Sequence, residues 1–173
     1  MKNLKSQILT IIFIIAIISL ISPSHCKNVI EKTCKQTPHY DLCVQSLKSD
    51  PSSSDADVTG LAVIMVKVTE AKANGTSDKI KQLLGGGDLE PKQEKALKSC
   101  SERYEAVIKW DVPQAIGALN GNPKFAEEAM QGAANEAFAC ESEFSGTTSL
   151  LTRENQAFRD LAVVAVAIIK LLL

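Results

Sequence analysis

The sequence predicts an all-α protein, in which a helical hairpin (27–50) precedes an up-down-up-down four-helix bundle (55–173). Three observations predict this fold class. Apolar residues recur at steps of three and four along most of the chain, which is the spacing of a helix that buries one face. Glycine and proline divide this pattern into long segments with short connections, for which an antiparallel bundle is the economical arrangement. β-Strand patterns are almost absent, and nothing repeats at a solenoid period.

The N-terminal segment 1–26 begins with two lysines, continues into an apolar run and ends in small residues. This pattern is typical of a cleaved secretion signal, and the apolar run is too short for a spanning helix. Cleavage after Ser24 would leave Cys26 as an odd thiol, so we favour cleavage after Cys26. The remaining residues, 27–173, fit a single domain.

Four further cysteines lie within segments that have a helical pattern, namely Cys34, Cys43, Cys100 and Cys140. An even set of cysteines in an exported chain normally forms disulfides rather than a metal site. The turn at 37–39 allows Cys34 and Cys43 to pair locally, which leaves Cys100 and Cys140 as a long-range pair. Because two disulfides use all four thiols, no metal constellation remains.

The hairpin of residues 27–50 turns at Pro38 and is followed by a serine-rich linker. The first long helix is predicted to begin near Asp55 or Asp57, since aspartate is a favourable N-cap residue. Its apolar stripe continues until the three glycines at 85–87 interrupt it. The stripe consists of Val58, Leu61, Met65, Val68, Ile80, Leu83 and Leu84.

The second long helix is predicted to be capped by Asp88, with Pro91 in its first turn. The chain restarts at 111–113, and Asn122 then caps a further helix that has Pro123 at its first position. Each of these helices carries one cysteine on its apolar stripe. The stripes are Leu97, Cys100, Tyr104 and Val107, then Met130, Ala133, Ala137, Cys140 and Phe144.

The last helix is predicted to begin near Ser149 or Thr152. Its final run, 161–173, is apolar but includes Lys170 and is too short to span a membrane. It also lacks the polar spacer and longer tail of a lipid-anchor signal. We therefore predict a core helix whose inward positions are Leu151, Phe158, Leu161, Ala165, Ile168 and Leu172.

Residues suited to catalysis are scarce, which favours a protein that is not an enzyme and needs no cofactor or metal. His39 is the only histidine after the signal, so hydroxyl nucleophiles have no other imidazole as a base. The paired carboxylates lie on polar helix faces, where solvated charge is the usual role. These pairs are Glu127 with Glu128 and Glu141 with Glu143.

The charge of the chain and one glycosylation sequon bear on which partners and modifications are expected. Without the two signal lysines the chain has 17 Lys and Arg against 20 Asp and Glu, and no basic patch stands out. Nucleic acid is therefore not an expected partner. Asn74 lies in an Asn-Gly-Thr sequon, which makes it a candidate glycosylation site on the secretory route. The sequon does not decide whether the site is occupied.

The segment 121–125 breaks the otherwise regular helical pattern. Pro123 fixes the backbone at a helix start, where Lys124 and Phe125 follow. Lys124 occupies a position at which the helix dipole disfavours a cation. In one interpretation Lys124 is solvated and Phe125 folds back on the core. In the other, the two side chains form a rigid exposed plug that fits an acidic pocket with an apolar rim.

The hairpin sequence CKQTPHYDLC at 34–43 resembles the N-terminal signature of the plant invertase and pectin methylesterase inhibitor family. The family is also resembled at two further segments, 49–51 and 61–66, and in the occurrence of a tyrosine downstream of Cys100. The resemblance covers 27–173 and implies the same fold and the same two disulfides. It also implies one-to-one inhibition of a carbohydrate-active enzyme, in complexes favoured by mildly acidic conditions.

Within that family, Pro123, Lys124 and Phe125 match the Pro-Lys-Phe motif of the invertase inhibitors, which pectin methylesterase inhibitors lack. The resemblance implies that this motif enters the sucrose-binding cleft of acid invertase, and that the free protein is a monomer of the cell wall or the vacuole. The glycines at 85–87 and Trp110 depart from the family pattern. Two alternatives remain: a pectin methylesterase inhibitor on the same fold, and a secreted bundle that carries a ligand or signals to a receptor.

Overall fold

The computed structural model describes residues 29–173, so the predicted signal peptide lies outside the described residues. This part of the chain is mainly helical and contains no β-strand. The hairpin comprises α1, described at 29–34, and α2 (Tyr40–Lys48), followed by a short 3₁₀ helix (Pro51–Asp55). The longer elements are α3 (Val58–Gly85), α4 (Pro91–Ala106), α5 (Val112–Ala118), α6 (Pro123–Glu143) and α7 (Thr152–Lys170).

Four helices form the bundle: α3, α4, α6 and α7. Helix α3 packs against α4 and α7, and α6 also packs against α4 and α7, so that α3 lies across the bundle from α6. Neighbours in the sequence are therefore neighbours in space, as an up-down-up-down bundle requires. The hairpin helix α2 packs on α3 and α7. The predicted fold class is confirmed.

Both disulfides have the predicted partners. Cys34 pairs with Cys43 across the hairpin, with their Cα atoms 5.5 Å apart. Cys100 on α4 pairs with Cys140 on α6, with their Cα atoms 4.8 Å apart. All four cysteines are fully buried, so each bond lies inside the helix packing rather than on its surface.

The predicted apolar stripes form the core. Every stripe position of α4 and its continuation, and every one on α6, is buried. In α7, five of the six predicted positions are buried, from Leu151 to Ile168, and Leu172 is only partly covered. On α3, Leu61, Met65 and Ile80 are buried, and the other four predicted positions are only partly covered, namely Val58, Val68, Leu83 and Leu84.

Two predicted helix boundaries need correction. Glu90, not Asp88, is the N-cap of α4, and its backbone N–H donates to Gln93 in a capping box. The physical reason is Pro91: it occupies the first helical position, so the residue directly before it must be the cap. The second correction concerns residues 111–113, where the sequence predicts a break followed by the start of a new helix. Instead, a π-helical turn (Val107–Asp111) joins α4 directly to α5.

A chain of buried hydrogen bonds crosses the bundle. The Tyr104 hydroxyl donates to Asn155 Oδ1 at 2.8 Å, and Asn155 Nδ2 donates to Glu141 Oε2 at 2.7 Å. Glu141 also accepts hydrogen bonds from Ser149 and Thr152 at the start of α7. Burial raises the pKa of Tyr104 far above its ordinary value, so this phenol stays neutral and can donate. Helices α4, α6 and α7 are thereby tied together by polar as well as apolar contacts.

Candidate functional site

The start of α6 holds the three residues of the predicted plug in a fixed backbone. Asn122 caps the helix: its side-chain Oδ1 accepts from the Phe125 N–H at 3.2 Å, and Pro123 takes the first position. On the other side, the Asn122 N–H donates to the carbonyl of Ala118 at 2.7 Å. The segment is therefore held by hydrogen bonds at both ends, and Asn122 is the cap of α6 as predicted from the sequence.

Phe125 lies at the surface. It is 44% exposed, whereas the next residue, Ala126, is fully buried. A phenylalanine folded back on the core would be covered, as Phe158 is. The structure therefore disagrees with the interpretation of Phe125 as a core residue, and it leaves the ring accessible to another molecule.

Lys124 is exposed but has partners within its own helix. Its side chain is 60% exposed, and Nζ lies 2.7 Å from Glu127 Oε2 and 3.9 Å from Glu128 Oε1. The hydrogen bond to Glu127 raises the pKa of Lys124, and the same bond lowers the pKa of Glu127. Both groups are therefore charged at neutral and mildly acidic pH.

Glu127 differs from the solvated surface charge expected of it. Its side chain is only 12% exposed, and its second oxygen, Oε1, lies 3.5 Å from Nζ of Lys170. Lys170 ends α7, which packs antiparallel to α6. Sequence reasoning missed Lys170, and no local signal could have found it, because only the packing of two helices brings it to Glu127. Glu128 behaves as predicted, with its side chain 61% exposed.

Asp111, in the π-helical turn, is a second residue that the sequence did not single out. Its carboxylate faces α6, where a Cβ atom placed on Gly132 would lie 3.7 Å from Oδ1. Burial, and to a smaller extent the charge of Glu136, raises the pKa of Asp111 to about 6. His39, the residue considered from the sequence, lies elsewhere, with Nε2 3.5 Å from Asp160 on α7.

The predicted glycosylation site lies inside α3. Asn74 is exposed, but its side-chain nitrogen donates to the Glu70 carbonyl at 3.1 Å. Thr76, whose hydroxyl completes the sequon, is 1% exposed and donates to the Lys72 carbonyl. Helix α3 lies across the bundle from α6, so a glycan on Asn74 would stand apart from the plug. Glycosylation stays a prediction.

Residues 29–173 hold no group of three or more His, Cys, Asp or Glu side chains arranged for a metal ion. None of the helices in this range is long and apolar enough to cross a membrane. Two surface hollows are present in this part of the chain: one of about 510 Å³ beside Glu141 and Thr147, and one of about 310 Å³ beside Asp78 and Glu105.

Residues 28–168 match the family model described as plant invertase/pectin methylesterase inhibitor. Two similar proteins from Arabidopsis thaliana are named cell wall / vacuolar inhibitor of fructosidase 1 and 2. The first is 40% identical over 75% of this chain and 63% of its own length. The second is 43% identical over 47% of this chain and 45% of its own length. The matched region thus spans less than two thirds of either relative.

A pectinesterase inhibitor from Actinidia deliciosa is 31% identical over 88% of this chain and 82% of its own length. Among solved structures, a mutant form of a pectin methylesterase inhibitor from Arabidopsis superposes with a TM-score of 0.68. That match covers 79% of this chain and 92% of the other, at 22% identity. At this identity the structural match supports the fold alone. The named relatives are inhibitors of enzymes, not enzymes.

Proposed function

Because this chain belongs to the plant invertase/pectin methylesterase inhibitor family, we propose that it inhibits a plant acid invertase, a β-fructofuranosidase, in a one-to-one complex. Two relatives at 40% and 43% identity are named inhibitors of fructosidase, which supports this target over others. The observation that carries the proposal is the exposed pair Lys124 and Phe125 at the start of α6. Together with Pro123 they form the target-binding segment, which we call the plug.

The plug suits the site of a retaining glycosidase, which cleaves its substrate with two carboxyl groups placed close together. Lys124 would lie near those acidic groups, and the Phe125 ring would fill apolar space beside the sugar site. Since the capped helix start already holds the backbone, little conformational entropy is lost on binding. Binding energy would concentrate in this anchor, while nearby helix surfaces exclude water from it.

The proposal is tested by the variants Lys124→Ala and Phe125→Ala, assayed for inhibition of sucrose hydrolysis by acid invertase. Each should weaken inhibition at least about tenfold, the usual cost of truncating an interface anchor. Thermal melting should hardly change, because both side chains are exposed. Phe138→Ala is the matched control: Phe138 is another exposed ring of α6, 58% exposed, and its loss should leave inhibition unchanged.

A folded double variant, Lys124→Ala with Phe125→Ala, that still inhibits invertase normally would contradict the plug mechanism. It would favour a second candidate, inhibition of pectin methylesterase through the helix faces of the bundle. That candidate is supported by the relative named pectinesterase inhibitor, which aligns over 88% of this chain. A pectin methylesterase assay run in parallel separates the two. Inactivity against both enzymes would favour a secreted carrier or signalling bundle.

The proposed location is the secretory pathway, with the cell wall as the destination and the vacuole as the alternative. The two Arabidopsis relatives are named for both compartments. Export also fits the two disulfides, which persist in oxidising compartments. Fusing residues 1–26 to a reporter and locating it in plant cells tests the predicted signal.

A further inference from the structure

The lysine of the proposed plug shares its carboxylate with a second lysine. Glu127 offers one oxygen to each: Oε2 lies 2.7 Å from Lys124 Nζ, and Oε1 lies 3.5 Å from Lys170 Nζ. Lys124 is 60% exposed, so an approaching molecule can reach it, whereas Glu127 is 12% exposed. Lys170 comes from the end of α7, whereas Lys124 and Glu127 both belong to α6.

This arrangement matters when Lys124 turns toward an acidic group on another protein. Glu127 would then lose its nearest partner at a place that is largely closed to water. An unpaired carboxylate in such surroundings is costly, and that cost would be subtracted from the binding energy. Glu128, the other carboxylate near Lys124, is 61% exposed and remains hydrated in either case.

We propose that Lys170 is a positioning residue for target binding, which keeps Glu127 paired while Lys124 leaves it for an acidic group on the target. The inference rests on the proposed function, since it assumes that Lys124 binds acid invertase. Lys170 acts through Glu127 and does not itself touch the target. The chain thus carries two cations for one covered carboxylate, so that one cation can be released.

The test is a set of inhibition constants against acid invertase for Lys170→Met, alone and combined with Glu127→Gln or Lys124→Ala. Alone, Lys170→Met should weaken inhibition about threefold to tenfold, which lies in the lower part of the range of coupling between residues in contact. Combined with either second change it should have less than about a twofold further effect, because the covered charge or the departing cation is then absent. Lys170→Arg, which keeps the cation, should retain inhibition.

Lys98→Met is the matched control, since Lys98 forms a comparable surface pair with Glu94 on α4. It should leave inhibition unchanged. An equal loss from Lys170→Met in all three backgrounds would mean that Lys170 touches the target directly, and would overturn the inference alone. Normal inhibition by Lys170→Met would also overturn this inference alone, whether or not the melting temperature of the variant falls. Normal inhibition by Lys124→Ala would overturn both this inference and the proposed plug.

Discussion

Asp111 shows how one residue acquires a property that its neighbours in the sequence do not suggest. In a regular surface helix an aspartate is solvated and titrates near its ordinary value of 3.8. Here the π-helical turn directs it toward α6, where burial raises its pKa to about 6. π-Helical turns of this kind are often found at functional sites. We therefore expect the stability of the folded state to depend on pH in the mildly acidic range.

The pH dependence of stability follows from that shift. Because the pKa of Asp111 is higher in the folded chain than in the unfolded one, the folded state holds the proton more tightly. Asp111 therefore costs no stability below about pH 4, becomes increasingly destabilising between about pH 4 and pH 6, and costs a constant amount above that range. We expect Asp111→Asn to raise the melting temperature at pH 7 relative to the original chain, with a smaller difference at pH 4.

Melting curves of both proteins, recorded between these pH values, check this expectation. Asp78→Asn is a suitable control, because the Asp78 side chain is 76% exposed and pairs with Lys81, which stays charged over this pH range. If the melting temperatures of the original chain and of Asp111→Asn change with pH in the same way, Asp111 is solvated in the folded protein.

Helix α6 combines three tasks along its length. Its first turn presents the proposed plug, its inner face packs on α4, α5 and α7, and its last turns carry Cys140 and Glu141. Glu141 accepts hydrogen bonds from Asn155 and from two hydroxyls near the start of α7. The end of one helix thus helps to order the start of the next, and the plug is supported by both.

We expect Asn155→Ala to lower the free energy of unfolding by about 2–4 kcal/mol, since it removes the hydrogen bonds that Asn155 makes with Tyr104 and with Glu141 inside the bundle. Denaturant unfolding measures this loss. Inhibition per folded molecule should not change, because Asn155 is 1% exposed and lies far along α7 from Lys170. Gln156→Ala, at the next and exposed position, should cost less than about 0.5 kcal/mol. Equal losses for the two variants would contradict a structural role for the buried network.

At the scale of the whole molecule, the two disulfides have different effects. The Cys34–Cys43 bond closes a separation of 9 residues within the hairpin. The Cys100–Cys140 bond spans 40 residues and joins α4 to α6, which are adjacent in the bundle but distant in the sequence. In the loop-entropy treatment the longer loop contributes about 4 kcal/mol and the shorter one somewhat under 3.

Replacing Cys100 and Cys140 together by serine should therefore lower the free energy of unfolding by about 2–5 kcal/mol and reduce secretion. Replacing Cys34 and Cys43 together should lower the free energy of unfolding by less and leave the four-helix bundle folded. Denaturant unfolding of the two double variants gives both values. Peptide mapping of the unmodified protein checks the partners, and a bond from Cys34 to Cys100 or to Cys140 would contradict the structure.

The sequence alone determined the features that depend on residues within one or two helical turns of each other. The apolar stripes predicted the core, and Asn122 and Pro123 predicted the start of α6. The turn at 37–39 predicted the local disulfide. Even the misassigned cap of α4 was off by only two residues. The residues of the proposed plug were singled out in the same way, since a proline, a cation and a ring at a helix start are consecutive in the chain.

The tertiary structure decided which distant residues meet. Lys170 reaches Glu127, Asn155 reaches Tyr104, and Asp111 is half-buried against α6 only because packed helices have one relative rotation and one axial position. That register depends on how all the core side chains interdigitate, and no local pattern encodes it. Helical periodicity predicts which face of a helix is covered. The packing of the whole core selects the partner of each residue on that face.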